Sequence, residues 1–286
     1  MSNNFRFDHA VILVADLTTA IAAYSSLGFN VIEGGKHKNS PTQNALIPLS
    51  DDSYLELIAA NNRFVLPALS LLKRLGLLRR VLASRTGFTK RLLSRAAFGE
   101  GLVDFALLSS VIEENIKAMR NRGLFVEGPI QGGRERPDGE RVAWQLGLPG
   151  TQDLPFLCAD VTARELRVPK GDICQHPNGI LAVGGIVVAV LDLDASVRRY
   201  CALLDTQPLS GSTSPLRAAR TVDFLLHDIT ITLAMPTEEN GPIYQYIKKR
   251  GEGPYRLKLL ASNGKTGLLD TTLTKDVHIE LLTRLP

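Results

Sequence analysis

The sequence predicts an α+β protein made of four copies of one strand-rich unit, paired as two halves. Three observations carry that expectation. A strand–helix–strand pattern returns after 176 residues without a gap, two Gly-Glu-Gly triplets each lead into a strand, and short apolar runs are bounded by turn residues throughout. The composition agrees with a folded chain of one large or two ordinary domains. Its 286 residues are 44% hydrophobic, 22% charged and 6% aromatic, which excludes a disordered, collagen-like or disulfide-scaffold protein.

Taken in order, the first unit opens with an apolar strand, Ala10 to Val14, that runs into Asp16 as helix N-cap. Ala20, Ile21 and Tyr24 form a helical stripe and Gly28 stops the helix. Two strands follow, Ala45 to Pro48 and Tyr54 to Ile58, joined by the turn Ser50-Asp51-Asp52-Ser53. The second unit starts at Gly99-Glu100-Gly101, with a strand from Val103 to Leu108, a helix from Glu114 to Arg122 and a stop at Gly123. The turn Arg136-Pro137-Asp138-Gly139 leads to strands Arg141 to Leu148 and Leu154 to Val161. The third unit is the first displaced by 176. Ile186 to Val190 is the strand, Asp192-Leu193 matches Asp16-Leu17, and Val197 and Tyr200 match Ile21 and Tyr24. Its later strands are Thr221 to Phe224 and Thr230 to Ala234. The fourth unit is short: Gly251-Glu252-Gly253, a strand from Tyr255 to Leu260, and a last strand from Val277 to Leu282. The polar stretch Val168 to Gly179 divides the halves, giving domains 5–167 (units 5–60 and 100–162) and 180–286.

Net charge is +4, with 33 basic and 29 acidic residues, and it is unevenly spread. Between the first two units, residues 61–99 carry nine basic residues and no acidic one, so the rest of the chain holds 24 against 29, or −5. Pro67 opens a helix there, and Leu71, Leu72, Leu75, Leu78 and Leu82 form an apolar stripe with Lys73, Arg74, Arg79 and Arg80 largely off it. A second helix, Thr89 to Ala97, carries Lys90, Arg91 and Arg95. This insert reads as a lid, as an interface with a second copy in a homodimer, or as a membrane-surface helix. Nucleic acid is disfavoured, since neither aromatic interleaving nor a recognised binding motif is present.

Cys158, Cys174 and Cys201 are odd in number, widely spaced and read as free thiols in a reducing cytosol. The polar start Met1-Ser2-Asn3-Asn4-Phe5-Arg6 has no signal-peptide core, and no apolar run approaches the ~18 residues of a membrane span, so a cytoplasmic protein is expected. Dinucleotide, nucleophile-elbow and zinc-protease motifs are absent, and Gly264-Lys265-Thr266 lacks the first glycine of a phosphate loop because that position is Leu259. Ser210-Gly211-Ser212 reads as a flexible loop.

The repeat, with Asp8-His9-Ala10-Val11-Ile12 and Tyr54-Leu55-Glu56-Leu57-Ile58, resembles the vicinal oxygen chelate superfamily, and more narrowly its glyoxalase-like domain proteins. Gly34-Gly35-Lys36-His37, Thr42-Gln43-Asn44-Ala45-Leu46, Arg136-Pro137-Asp138-Gly139 and His176-Pro177-Asn178-Gly179 look like the same subgroup. The likeness covers residues 5–180 well and 183–282 more loosely, and it is more specific for the fold than for a reaction. It implies tandem βαβββ modules paired into two cupped sheets, with metal ligands from the first and last strands of each module.

By that resemblance His9 and Glu56 are ligands from the first module, and a shift of 95 places Asp104 where the second would supply one. Alternation along Leu55-Glu56-Leu57 puts Glu56 on the face opposite the two leucines. A divalent Mn, Mg, Fe, Zn or Ni ion on His9, Glu56 and Asp104 would polarise vicinal oxygens of a small organic substrate, with Glu56 or His37 moving a proton in isomerase, lyase or hydrolase chemistry. A metal-free cup that sequesters a small molecule is the other reading. His37 is an acid–base group or a solvated loop histidine. Asn44 bonds a substrate oxygen or caps a strand entry. Trp144 is core or a stacking wall. His176 belongs first to a turn and second to the site, and Arg134 and Arg136 face an anionic substrate. In the second half the matching positions, Gly185, Thr232, Arg256 and Glu280, cannot form such a metal centre, so that half reads as structural. An insert between modules of a cup sits at its rim, which favours the lid over a membrane contact.

Overall fold

The computed structural model describes residues 5–37, 41–210 and 216–283; Gly211 and Ser212 of the expected flexible loop lie outside them. The first half runs β1 (Arg6–Leu13), α1 (Leu17–Ser26), β2 (Ile32–His37), β3 (Thr42–Pro48) and β4 (Tyr54–Ala60), then the insert helices α2 (Val65–Arg74), α3 (Leu78–Ala83) and α4 (Gly87–Ala96). It continues through β5 (Gly101–Leu108), α5 (Ile112–Asn121), β6 (Val126–Glu135), β7 (Arg141–Pro149), β8 (Phe156–Asp160) and the short α6 (Arg164–Arg167). The second half holds β9 (Ile180–Ala189), α7 (Leu193–Leu204), β10 (Ala219–Leu226), β11 (Ile229–Pro236), α8 (Pro242–Arg250), β12 (Gly253–Ala261), β13 (Gly267–Leu268) and β14 (His278–Thr283).

Two local hydrogen-bond patterns recur in both halves. Asp16 accepts from Thr19 N at 2.8 Å to cap α1, and Asp192 accepts from Ala195 N at 2.9 Å to cap α7. The Gly-Glu-Gly triplets are equally matched. Glu100 Oε1 accepts from Ala15 N beyond β1, and Glu252 Oε1 accepts from Leu191 N beyond β9, both at 2.7 Å. Each triplet also takes an arginine from the other half: Arg95 of α4 donates to the Glu252 carbonyl, and Arg250 of α8 donates to the Glu100 carbonyl. Gly101 and Gly253, at φ of +134° and +141°, lie directly against those guanidiniums, where a Cβ would collide.

The first half closes into an eight-stranded barrel in the order β1-β4-β3-β2-β6-β7-β8-β5. The closing contact is short. β2 pairs β6 through Lys36 with Glu135 and His37 with Arg134, which sets those last two residues side by side. The second half is an open six-stranded sheet, β10-β11-β9-β12-β14-β13. Its concave face is filled, because α8 packs Ile243 and Ile247 on Val187, Ala189, Ala234 and Tyr255. One apolar core runs through both halves and includes Leu55, Leu57, Tyr24, Val188, Tyr200 and Leu257.

The insert differs from its sequence reading. It forms three helices, and Gly76, at φ +70°, breaks the leucine stripe between the first two. Leu66 and Leu69 are the buried leucines of α2, whereas Leu71 and Leu75 are 56% and 61% exposed. Seven of its nine cations face solvent, while Arg91 and Arg95 on α4 are buried. Among the described residues no helix is long and apolar enough to cross a membrane.

Candidate functional site

A cavity of about 250 Å³ opens inside the first barrel. β1 and β4 run parallel with His9 beside Tyr54 and Val11 beside Glu56, so His9, Tyr54 and Glu56 project to the same, inner face. Leu55 and Leu57 point the other way into the shared core, and Glu56 lines the cavity at 7% exposure. The His9 ring lies flat on Tyr54, centroids 4.5 Å apart, with the edge of Phe156 against it at 5.4 Å.

Three polar groups meet at Glu56. Asn44 Nδ2 donates to Oε1 at 2.6 Å, His37 Nε2 lies 3.5 Å from Oε1, and His9 Nε2 lies 3.6 Å from Oε2. Burial alone would raise the carboxyl pKa. The His37 contact, the charge of His9 and the Asn44 bond outweigh it and bring the value down to about 2. Glu56 is therefore an ionised carboxylate inside a mainly apolar wall.

The far nitrogens of both imidazoles are already engaged. His9 Nδ1 lies 2.9 Å from Asp8 Oδ2, and His37 Nδ1 lies 2.8 Å from Thr42 Oγ1. Asp8 is wholly buried and is also held by Arg167, at 2.9 and 3.1 Å, and by Arg164, at 2.8 Å. Burial pushes its pKa up, but Arg167, then His9 and Arg164, hold it well below the usual carboxylate range. An ionised Asp8 keeps a proton on His9 Nδ1, so Nε2 faces Glu56 either as the imidazolium N–H whose charge lowers the carboxyl or, with that proton gone, as a lone pair. Two lone-pair atoms 3.6 Å apart in a buried site call for a cation between them, either a second proton or a metal.

The donor chemistry, an imidazole held by Asp8 and an ionised carboxylate held by Asn44, fits a divalent ion bound on His9 Nε2 and Glu56. The set is sparse. Among the described residues no group of three or more His, Cys, Asp or Glu side chains is arranged to hold a metal, so His9 and Glu56 offer two donors only. The second module adds Trp144, Leu146, Phe156 and Cys158, and burial pushes the Cys158 thiol up so that it stays neutral. From the insert, Thr86, Gly87, Phe88 and Thr89 complete the wall, with Phe88 edge-on to Phe156 at 5.3 Å.

The structure thus brings together His9, His37, Glu56 and Trp144 in the lining and Asn44 against Glu56; the ring edge of Trp144 meets His37 at 6.1 Å. It does not bring in Asp104. That carboxylate bonds Arg91 of α4 at 2.5 and 2.8 Å, away from the cavity. The shift of 95 misses because β1 and β5 pair with bulges, which set Ala106 opposite His9 and Asp104 opposite Val11. His176 is also elsewhere. Its Nδ1 accepts from Asn30 N at 3.0 Å and its Nε2 meets the Pro48 carbonyl at 2.9 Å, tying down the linker. Arg136 pairs with Asp138 at 2.7 Å in a separate depression. In the second half Arg256 bonds Glu280 at 3.2 Å and Gly185 lies against the Thr230 carbonyl, so among the described residues these positions form no equivalent of the His9–Glu56 pair.

Asp8, Thr42, Arg164 and Arg167 were not legible as site residues. Asp8 carried one signal, its adjacency to His9; Arg167 carried none, because it reaches the site from 159 residues away in sequence.

Comparison with known proteins places this geometry. A hypothetical protein of known structure from Staphylococcus aureus superposes over 98% of this chain and 100% of its own, at 15% identity and a TM-score of 0.71. A mutant of 4-hydroxymandelate synthase from Streptomyces coelicolor covers 91% of this chain and 72% of its own, at 14% identity and a TM-score of 0.57. At such identities the likeness shows the fold alone. Among curated proteins no sequence relative matches. The model of the glyoxalase-like domain family matches residues 7–204, through both modules of the barrel and on into β9 and α7. On that match the chain belongs to the glyoxalase-like domain family.

Proposed function

We propose that the protein is an enzyme that binds a divalent metal ion in the barrel cavity and acts on a small organic molecule with neighbouring oxygens. The observation that carries this reading is the buried, ionised Glu56 set between two imidazoles whose other nitrogens are already occupied. A bound cation would supply Lewis acidity to the substrate oxygens and stabilise charge developing on them.

The chain's own groups divide the remaining work. Asp8 fixes the tautomer of His9, and Asn44 holds the Glu56 carboxylate in one rotamer. With its pKa near 2, Glu56 has little proton affinity at neutral pH and serves as ligand rather than base. His37 is then the proton carrier, at Nε2. Trp144, Phe156 and Leu146 exclude water and strengthen every charge interaction inside.

Metal analysis of the purified protein tests the reading, together with Mn or Mg titration of the parent, His9→Gln and Glu56→Gln. One ion per chain that is lost in both variants supports it. Substoichiometric metal unchanged by either substitution ends it. A second reading, a binding protein that sequesters a small molecule without turnover, is favoured by the apolar face the second module presents. Saturable ligand binding with no metal requirement and no product would select it.

A further inference from the structure

Arg134 is the cavity's one cationic wall residue whose charge is not matched by a neighbour, among the described residues. It is 4% exposed, on β6 beside His37 at the strand pair that closes the barrel. Its Nη2 donates to the Arg167 carbonyl at 2.8 Å, while its buried Nε has no partner. The other buried guanidiniums are differently placed. Arg91 sits on Asp104, Arg167 shares Asp8 and Asp160 with the partly exposed Arg164, Arg95 spans the Gln152 and Glu252 carbonyls, and Arg250 bonds the Glu100 carbonyl with Asp276 at 3.8 Å. Glu56, the carboxylate Arg134 feels, is taken up by His9, His37 and Asn44. Burial lowers the guanidinium pKa, and Arg167 and Arg136 add like charge.

An uncompensated buried cation is costly to keep; Arg95 offsets that cost with two carbonyls, whereas Arg134 has one carbonyl and a cavity beside it from which a ligand would supply the missing charge. A guanidinium edge offers paired donors that match a planar carboxylate. From these observations we infer that the cavity takes a carboxylic acid, with its carboxylate on Arg134 and its adjacent oxygen-bearing carbon toward Glu56 and His37. The apolar wall of Trp144, Phe156, Phe88 and Leu146 receives the rest of the molecule. The substrate class is a 2-oxo or 2-hydroxy acid with a short apolar or aromatic body. This rests on the reading of the cavity as a substrate site, and it names the class that site selects.

The test is calorimetric titration of the full chain with glyoxylate, pyruvate and phenylglyoxylate, each against its methyl ester, with and without added Mn. In the parent at least one acid binds about ten- to a hundredfold tighter than its ester, the range of a charge-assisted hydrogen-bond pair. In Arg134→Met that ratio falls to about one while ester affinity changes little. Its heat stability falls modestly on either account, because the Arg167 carbonyl loses its donor, so the acid-to-ester ratio is the deciding readout. A purely structural arginine would leave the ratio unchanged. If Arg134→Met does not fold, Arg134→Gln, which can still donate to the Arg167 carbonyl, decides the same ratio. Acids and esters that bind the parent alike, or an acid preference that survives loss of the guanidinium, overturn the inference. Glu56→Gln separates it from the metal reading. Acid preference that persists there, together with a parent that binds no metal, retires the enzyme reading and leaves the acid site standing.

Discussion

Glu56 shows how one residue acquires a role from its surroundings. Its neighbours in sequence are leucines that build the core, and strand alternation alone turns it to the other face. There two imidazoles and an amide hold its carboxyl pKa near 2 against an ordinary 4.5. A carboxyl held low in the folded state adds stability that is complete above about pH 4.5 and is lost as pH falls toward 2. The shift is worth roughly 3 kcal/mol, an order-of-magnitude figure for a group coupled to two histidines. Urea midpoints measured from pH 6 to pH 3 should therefore fall steeply for the parent and less steeply for Glu56→Gln. Parallel slopes would mean that the carboxylate is not held in this way. This residue was legible before the structure because period-2 alternation is local. Arg134 was legible only as a charge that could face an anion; its isolation depends on what Asp8, Asp160 and Asp104 bind instead, and that is a property of the folded barrel.

At the scale of elements, the insert and β5 show where sequence reading fails. The helical stripe from Leu71 to Leu82 presumes one continuous helix, but the positive φ of Gly76 ends α2 early and leaves Leu71 and Leu75 in solvent. Asp104 failed for a related reason. A gapless shift between modules cannot register the bulges in β1 and β5, each of which changes which residue faces inward. What α4 does instead is structural. Arg91 crosses from the insert to Asp104 and also bonds the Pro149, Thr151 and Leu154 carbonyls, pinning α4 so that Phe88 closes the cavity. Asp104→Ala strands that guanidinium in the interior, and a loss of about 3–5 kcal/mol in denaturant unfolding is expected. Metal affinity of the folded variant should match the parent. A selective loss of metal with stability intact would return Asp104 to the ligand set.

At the scale of the molecule, the two halves are unequal partners on one continuous apolar core. The first keeps a cavity; the second fills its concave face with α8 and supports the first. Support is exchanged in both directions. Arg95 reaches from α4 to the Glu252 carbonyl and Arg250 from α8 to the Glu100 carbonyl, and each passes over a glycine that has no room for a side chain. Tyr24 of α1 donates to the Thr274 carbonyl, Tyr200 of α7 donates to the Asp153 carbonyl, and the apolar core is continuous across the boundary. The family match runs past the linker to Leu204, the last residue of α7. Removing one reciprocal arginine leaves a buried carbonyl unpaired, at about 1–3 kcal/mol each. Arg95→Met and Arg250→Met should therefore lower the melting temperature individually. Because the shared core remains, the double variant should still unfold in a single calorimetric transition, with its van't Hoff and calorimetric enthalpies equal. Two resolved transitions in that variant would show that the arginine exchange, and not the common core, is what makes the halves fold as one.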